Sequence, residues 1–169
     1  RAPHPGDGAE AHAAIVESAE QLRIWIPWAK PLISVEEEET LARQRRVKFM
    51  SREGLFFYMY LKGTSTLVGM SALHHIEWKV PKFEIGYWVR TSFAKQGYAT
   101  EPVDGLTRLA FDSLGARRVE IRTDQLNERS WRVAERAGFT FEGIHCNEMR
   151  DGEGKLLDAR VYAKIRRDT

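Results

Sequence analysis

The chain has 169 residues, 43% of them hydrophobic, with 26 basic and 24 acidic side chains and a formal charge of +2. That length supplies one domain with a real core, and the near balance of charge, without a long basic tract, argues against nucleic-acid binding as the main activity. No apolar run approaches the roughly 18–20 residues of a membrane helix, and the single cysteine, Cys146, excludes an internal disulfide. Residues 1–9, "RAPHPGDGA", are turn-rich. A helical pattern runs from about Glu10 to Trp25 and stops before Pro27. Ser34-Val35-Glu36-Glu37 has the form of a capping box, which predicts a helix to about Arg52, and the acidic run Glu36–Glu39 suits the positive end of that helix. "LFFYMYL" (55–61), "TLVGMSALHHIE" (66–77) and "KFEIGYWV" (82–89) are rich in aromatic and β-branched residues and read as an antiparallel meander. After Tyr98 the period changes: Val103, Leu106, Leu109 and Ala110 share one helical face, and Gly115 marks its end. "RRVEIRT" (117–123) reads as a strand and "NERSWRVAERAG" (127–138) as a helix capped by Asn127 and closed by Gly138. "FTFEGIH" and "LDARVYAKI" predict a hairpin around "DGEGK". The whole of residues 1–169 reads as a single domain. The lone cysteine and the lack of a signal-like segment suggest a cytoplasmic protein, whose first residues would precede Arg1.

Chemistry concentrates at "AKQGYAT", 94–100, where a strand hands over to a helix. The first turn of a helix exposes unpaired N–H groups and suits an anion such as phosphate. Gly97 permits positive φ and close approach of a ligand; Ala99 and Thr100 keep the wall small; Lys95 and Gln96 offer donors. The same glycine also fits a plain connection. In "NERSWRVAERAGF", 127–139, Asn127 and Ser130 stand three residues apart at one helix end. Asn127 is read both as an N-cap and as a residue pointing into a substrate gap. Arg129, Arg132 and Arg136 lie on one helical face, either solvated or facing an anion. His74 and His75 are adjacent, so a regular strand sends them to opposite faces, and they read as surface or core residues. Cys146 reads as a small buried residue.

"PWA" (27–29), "LVG" (67–69), "EIGYWV" (84–89), "KQGYATE" (95–101), "NERSWRVAERAGF" (127–139), "FEG" (141–143) and "VYA" (161–163) together span nearly the whole chain in order. This ordered set resembles the GCN5-related N-acetyltransferase (GNAT) superfamily, and within it the ribosomal-protein N-terminal acetyltransferase branch, the RimJ/RimL-like proteins. The resemblance implies an α/β (α+β) fold: a strongly twisted mixed sheet of about six to seven strands with about four helices. The family's first strand would be largely missing here, with "RAPHPGDG" matching its end. It implies acetyl-CoA as cosubstrate, without a metal, and direct transfer to an amine in a ternary complex. The pantetheine arm would lie between the strands at 83–89 and 117–123 and pair with the backbone near Trp88 and Val89. Gly86 is consistent with a bulge that opens this slot and equally with plain packing.

The pyrophosphate loop of the family, Arg/Gln-x-x-Gly-x-Gly/Ala, maps onto Gly97 and Ala99, with Lys95, Gln96, Tyr98 and Thr100 around them; its first position is Ala94, a departure that removes one side-chain contact. Ser130 would protonate the leaving thiolate, Asn127 would orient the pantetheine, and N–H groups near Val89 would meet the oxyanion. For the base the candidates are Glu84, Glu101, Glu142 and Glu148, of which Glu148 matches the branch best and Glu84 follows; a site with no dedicated base is the other choice. Trp25, Trp28 and Tyr58 either line the acceptor side or pack in the core. The acceptor would be a protein N-terminus or a small amine; a CoA-binding sensor without turnover is the competing class. The resemblance also allows a homodimer, and predicts neither a nucleic-acid nor a membrane partner.

Overall fold

Ser34 begins the second helix as its sequence requires. Its hydroxyl accepts from Glu37 N, and the Glu37 carboxylate accepts from Ser34 N at 2.7 Å, a complete capping box. The computed structural model describes residues 1–29, 32–151 and 153–166, with the Trp28 side chain outside that description. The elements are α1 (Gly8–Trp25), α2 (Val35–Ser51), β1 (Leu55–Tyr60), β2 (Leu67–Glu77), β3 (Lys82–Val89), α3 (Thr100–Arg108), β4 (Arg118–Asp124), α4 (Glu128–Arg136), β5 (Thr140–Arg150) and β6 (Leu156–Ile165). Past Arg108 the α3 helix widens to i→i+5 bonding, with Leu114 N donating to Leu109 O, before Gly115 ends it at φ 70°. Among the described residues no helix is long and apolar enough to cross a membrane.

The strands form one mixed sheet in the order β1-β2-β3-β4-β6-β5. β1, β2 and β3 are the expected antiparallel meander, β5 and β6 the expected hairpin, and β3–β4 is the parallel pair. Arg1 also bonds in both directions to Tyr58 on the outer edge of β1, as the end of a further strand would.

Side-chain alternation divides the core between the two faces. Phe83, Ile85, Val119 and Ile121 pack with Val103, Leu106 and Val133 on the α3/α4 face. Tyr58, Met70 and Trp88 pack with Ala11, Ile15, Leu22 and Ala42 on the α1/α2 face. Two sequence readings change here. Cys146 is exposed, on a bulged part of β5 rather than in the core. Gly86 lies in unbroken register with Ala72, so it makes no bulge; it leaves room for the His74 ring, whose Nε2 would stand 2.7 Å from a Cβ at that position.

Candidate active site

The slot between β3 and β4 arises from where their pairing stops. They pair at Lys82–Arg118, Phe83–Val119 and Glu84–Glu120 and no further. Beyond Glu84, β3 follows β2 to Val89 while β4 follows β6 to Asp124. Each strand keeps its outer neighbour, and sheet twist carries them apart. The inner edge of β3 from residue 85 to 89 therefore presents backbone groups with no strand to receive them. A cleft of about 1120 Å³ passes through this gap. Trp88 and Val89 line it, and the Trp88 indole N–H is buried without an acceptor among the described residues.

At the end of β3 a single helical turn leads into residues 95–99, whose backbone N–H groups donate to no protein acceptor among the described residues. Lys95 and Gly97 take left-handed conformations, φ 63° and 90°. The carbonyl of Gly97 receives Thr100 N and Glu101 N, which starts α3 and leaves the preceding donors free. A Cβ on Gly97 would meet nothing within 4 Å, so the space over the loop is open to a ligand. Lys95, Gly97, Tyr98, Ala99 and Thr100 line the cleft, and so does Ala94. Gln96 does not: its amide nitrogen donates to Ser92 O at 3.1 Å and braces the loop. Arg129, Arg132 and Arg136 also line the cleft, with Arg132 bound to Glu128.

On the α4 side, Asn127 holds both roles read from its sequence. Its Oδ1 accepts from Ser130 N at 3.2 Å as an N-cap, and the residue lines the cleft. Tyr87, which sequence reasoning passed over, lies 3.1 Å from both Ser130 O and Ser130 Oγ. A carbonyl only accepts, so the phenol proton goes to Ser130 O, and in the contact between the two hydroxyls Ser130 Oγ–H donates to the Tyr87 oxygen. Burial pushes the Tyr87 phenol up to about 12, so it keeps its proton at neutral pH.

On the α1/α2 side the wall of the cleft includes Trp25, Ile26, Leu41 and Phe56. Tyr58 is fully buried core and accepts from Arg45. Glu38 and Arg45 form an ion pair beside the cleft, and Glu38 Oε2 has no partner among the described residues. The base candidates occupy different places. Glu101 is exposed in the first turn of α3. Glu142 is bound to Arg118, which holds its carboxyl below the usual range. Glu148 Oε1 is 2.5 Å from Arg122 Nη1, and Glu84 Oε2 is 3.6 Å from Arg122 Nε. Neither Glu84 nor Glu148 lines the main cleft, although Met149 beside Glu148 does. Glu120 joins both arginines: burial pushes its carboxyl up, but bonds from Arg118 and Arg122 outweigh burial and hold it low.

The histidines depart from the regular strand that sequence implied. A register shift between His74 and Glu77 and a left-handed His75, φ 46°, bring the two rings to 4.6 Å centroid separation. His75 Nδ1 lies 2.9 Å from Glu84 Oε2. Ligand atoms of His74, His75 and Glu84 lie within 4.8 Å of one another, but the Arg122 guanidinium against Glu84 opposes a second cation there.

Residues 1–140 match the family described as "Acetyltransferase (GNAT) domain". A protein of Bacillus subtilis (strain 168), YdaF, bears the name of a ribosomal N-acetyltransferase; it is 30% identical over 168 residues, covering 97% of this chain and 88% of its own. The microcin C7 self-immunity acetyltransferase MccE, solved with acetyl-CoA and AMP, superposes with a TM-score of 0.91 at 21% identity, over 98% of this chain and 90% of its own. RimL, the ribosomal L7/L12 α-N-protein acetyltransferase solved with coenzyme A, gives 0.90 at 22% identity, over 98% and 92%. At such identities the two structures speak for the fold, and both superpose on this mixed sheet and its helices over 98% of the chain.

Proposed function

The chain belongs to the GNAT acetyltransferase family and is an acetyl-CoA-dependent N-acetyltransferase, and from that premise we propose that its acceptor is the α-amine of a protein N-terminus, as for a ribosomal protein. The observation that carries this reading is the through-going cleft. Free loop N–H groups stand at one end and an apolar wall of Trp25, Ile26, Leu41 and Phe56 at the acceptor side. Such a wall suits a peptide segment better than a small polar amine. The match to YdaF over nearly the full length supports the same reading.

In this assignment the loop at 95–99 receives the pyrophosphate, with Lys95, Arg129 and Arg136 supplying charge. The pantetheine runs along the inner edge of β3 past Val89 and Trp88, with Asn127 helping to orient it. The amine nitrogen attacks the thioester carbon, and the carbonyl electrons move to oxygen, where unpaired N–H groups of β3 meet the charge. Collapse breaks the C–S bond, and Ser130 Oγ–H, supported by Tyr87, protonates the departing thiolate. The proton released from the amine nitrogen balances the one the thiolate gains. Glu84 and Glu148, held on Arg122, stand outside the main cleft.

The test is thiol release from acetyl-CoA with a panel of N-terminal peptides, polyamines and amino acids. Turnover is expected with peptides. Turnover restricted to the small amines overturns the acceptor class, and acetyl-CoA binding without turnover on any of them favours a sensor.

A further inference from the structure

Adjacent residues on β3 face opposite sides of the sheet. At position 87 the Tyr87–Ser130 pair stands on the α4 side, and at position 86 the missing side chain is filled by His74 on the α2 side. Both residues line the cleft. A thioester held at this level of the slot therefore has a proton donor on one side and an imidazole on the other. His74 is half-buried, and among the described residues no protein group hydrogen-bonds either ring nitrogen. A mostly enclosed polar ring with unused hydrogen-bonding capacity, beside a substrate cleft, is equipped to bond a ligand.

We propose that His74 is the general base that accepts the proton of the acceptor amine. The proposal rests on the acetyltransferase reading above. The entering ammonium group gives one proton to a His74 ring nitrogen, and the neutral amine attacks the thioester. A C–N bond forms and the C–S bond breaks. The second nitrogen-bound proton passes to the Ser130 oxygen, directly or through a water, as the tetrahedral adduct collapses, and restores the hydroxyl that protonated the thiolate. His74 then returns its proton to water through the open cleft.

The charged groups beside His74 are Glu84 on β3, with Arg122 of β4 against it, and His75 on its own strand, while the Glu38–Arg45 pair of α2 lines the same cleft. Burial depresses the His74 imidazole below its usual value; Glu84 opposes that shift and His75 adds to it. The ring is thus neutral, as a base must be, at neutral pH. Glu84 favours the protonated ring only in part, because His75 and Arg122 share its charge.

The experiment measures the pH dependence of kcat/KM from pH 5.5 to 9.5 for the wild type, His74→Gln and His74→Ala, with the best peptide acceptor. Acetyl-CoA affinity is followed by calorimetry. His74→Gln is expected to lose about 10²-fold in kcat, to keep acetyl-CoA affinity, and to lose the acidic limb that the wild type shows on the low side of the usual imidazole value. Added imidazole is expected to restore part of the His74→Ala rate. A His74→Gln enzyme with the wild-type rate and profile overturns the base assignment while leaving the acetyltransferase reading intact. A wild type that binds acetyl-CoA and transfers to no amine overturns both. Should the variants fail to fold, ¹⁵N-histidine NMR of the wild type decides: His74 titrating below the usual imidazole value and shifting with a CoA–peptide bisubstrate supports the role, and a ring blind to that ligand overturns it.

Discussion

Tyr87 and Ser130 show how one hydrogen-bond inventory fixes two roles. Because Tyr87 spends its proton on the Ser130 carbonyl, its oxygen accepts from the serine hydroxyl at rest, and that hydroxyl turns from the phenol to protonate a leaving group. Ser130→Ala leaves the backbone bond and the Asn127 cap in place, so acetyl-CoA affinity is expected to hold while kcat falls about 10²-fold. Equal kcat across pH in steady-state assays would return Ser130 to a structural part. Glu38 carries a second prediction. Glu36 and Glu37 stand exposed at the helix end that the acidic run suits, and Glu39 accepts from Gly6 N and Gly8 N, but Glu38 is only 1% exposed and paired with Arg45. Glu38→Ala leaves the largely covered Arg45 without its carboxylate, and denaturant unfolding is expected to show a loss of about 3–5 kcal/mol. A loss below 1 kcal/mol would mean that water reaches the pair freely. The four-residue acidic run hid this residue, because net charge gives no sign of which position points inward. The stripe Glu38, Ala42, Arg45, spaced at four and three, was the available signal.

At the scale of elements, local rules were sufficient wherever a residue answers to its immediate neighbours. The capping box at Ser34, the Asn127 cap and the Gly97 turn all form as their spacing predicts, because each depends on groups within three or four residues. The bulges did not show. His75 and Asn147 take left-handed φ values of 46° and 56° at register shifts set by the partner strand, and Asn147 N is held by Asp158 across the hairpin. Cross-strand demands of that kind leave little trace in the local pattern, so the pairing of His75 with Glu84 and the exposure of Cys146 were out of reach. For the loop at 95–99, Gly97→Val is a direct probe. A Cβ there meets no protein atom within 4 Å, so the fold is expected to survive with local strain from positive φ. The chain should lose two charge-assisted N–H contacts to phosphate, together about 3 kcal/mol or more, hence about 100-fold in acetyl-CoA affinity. Calorimetry giving wild-type affinity in a folded Gly97→Val protein removes the phosphate assignment. Ala94→Arg is expected to bind CoA at least as well as the parent, since it adds a cation at the cleft wall.

Across the whole molecule, the slot divides the sheet into two halves, β1-β2-β3 and β4-β6-β5, joined by three rungs of parallel pairing at Lys82–Glu84. The division follows from pairing order, which sequence resemblance conveyed and residue patterns alone did not: nothing in "FEIGYWV" or "RRVEIRT" says that these strands meet at one end and part at the other. At the rungs and one residue beyond them the halves share the α3/α4 core through Phe83, Val119, Ile85 and Ile121. Above them the inner edges of both strands face the cleft. An extended pantetheine arm placed there acts as a short strand added between the halves, bonding the free edge of β3 as an added strand bonds any open sheet edge. Its binding energy should then appear as stability of the whole fold. At acetyl-CoA about 100 times its Kd, the expected gain is about 2.7 kcal/mol, which for a domain of this size corresponds to a rise in Tm of about 5–11 °C. Hydrogen exchange should locate the effect: amides at 85–89 and 95–99 gain protection, while the outer rungs of β5 and β6 change little. A Tm rise with no added protection at 85–89 would mean that acetyl-CoA binds without entering the slot, and the reading of the parted strands as its seat would fall.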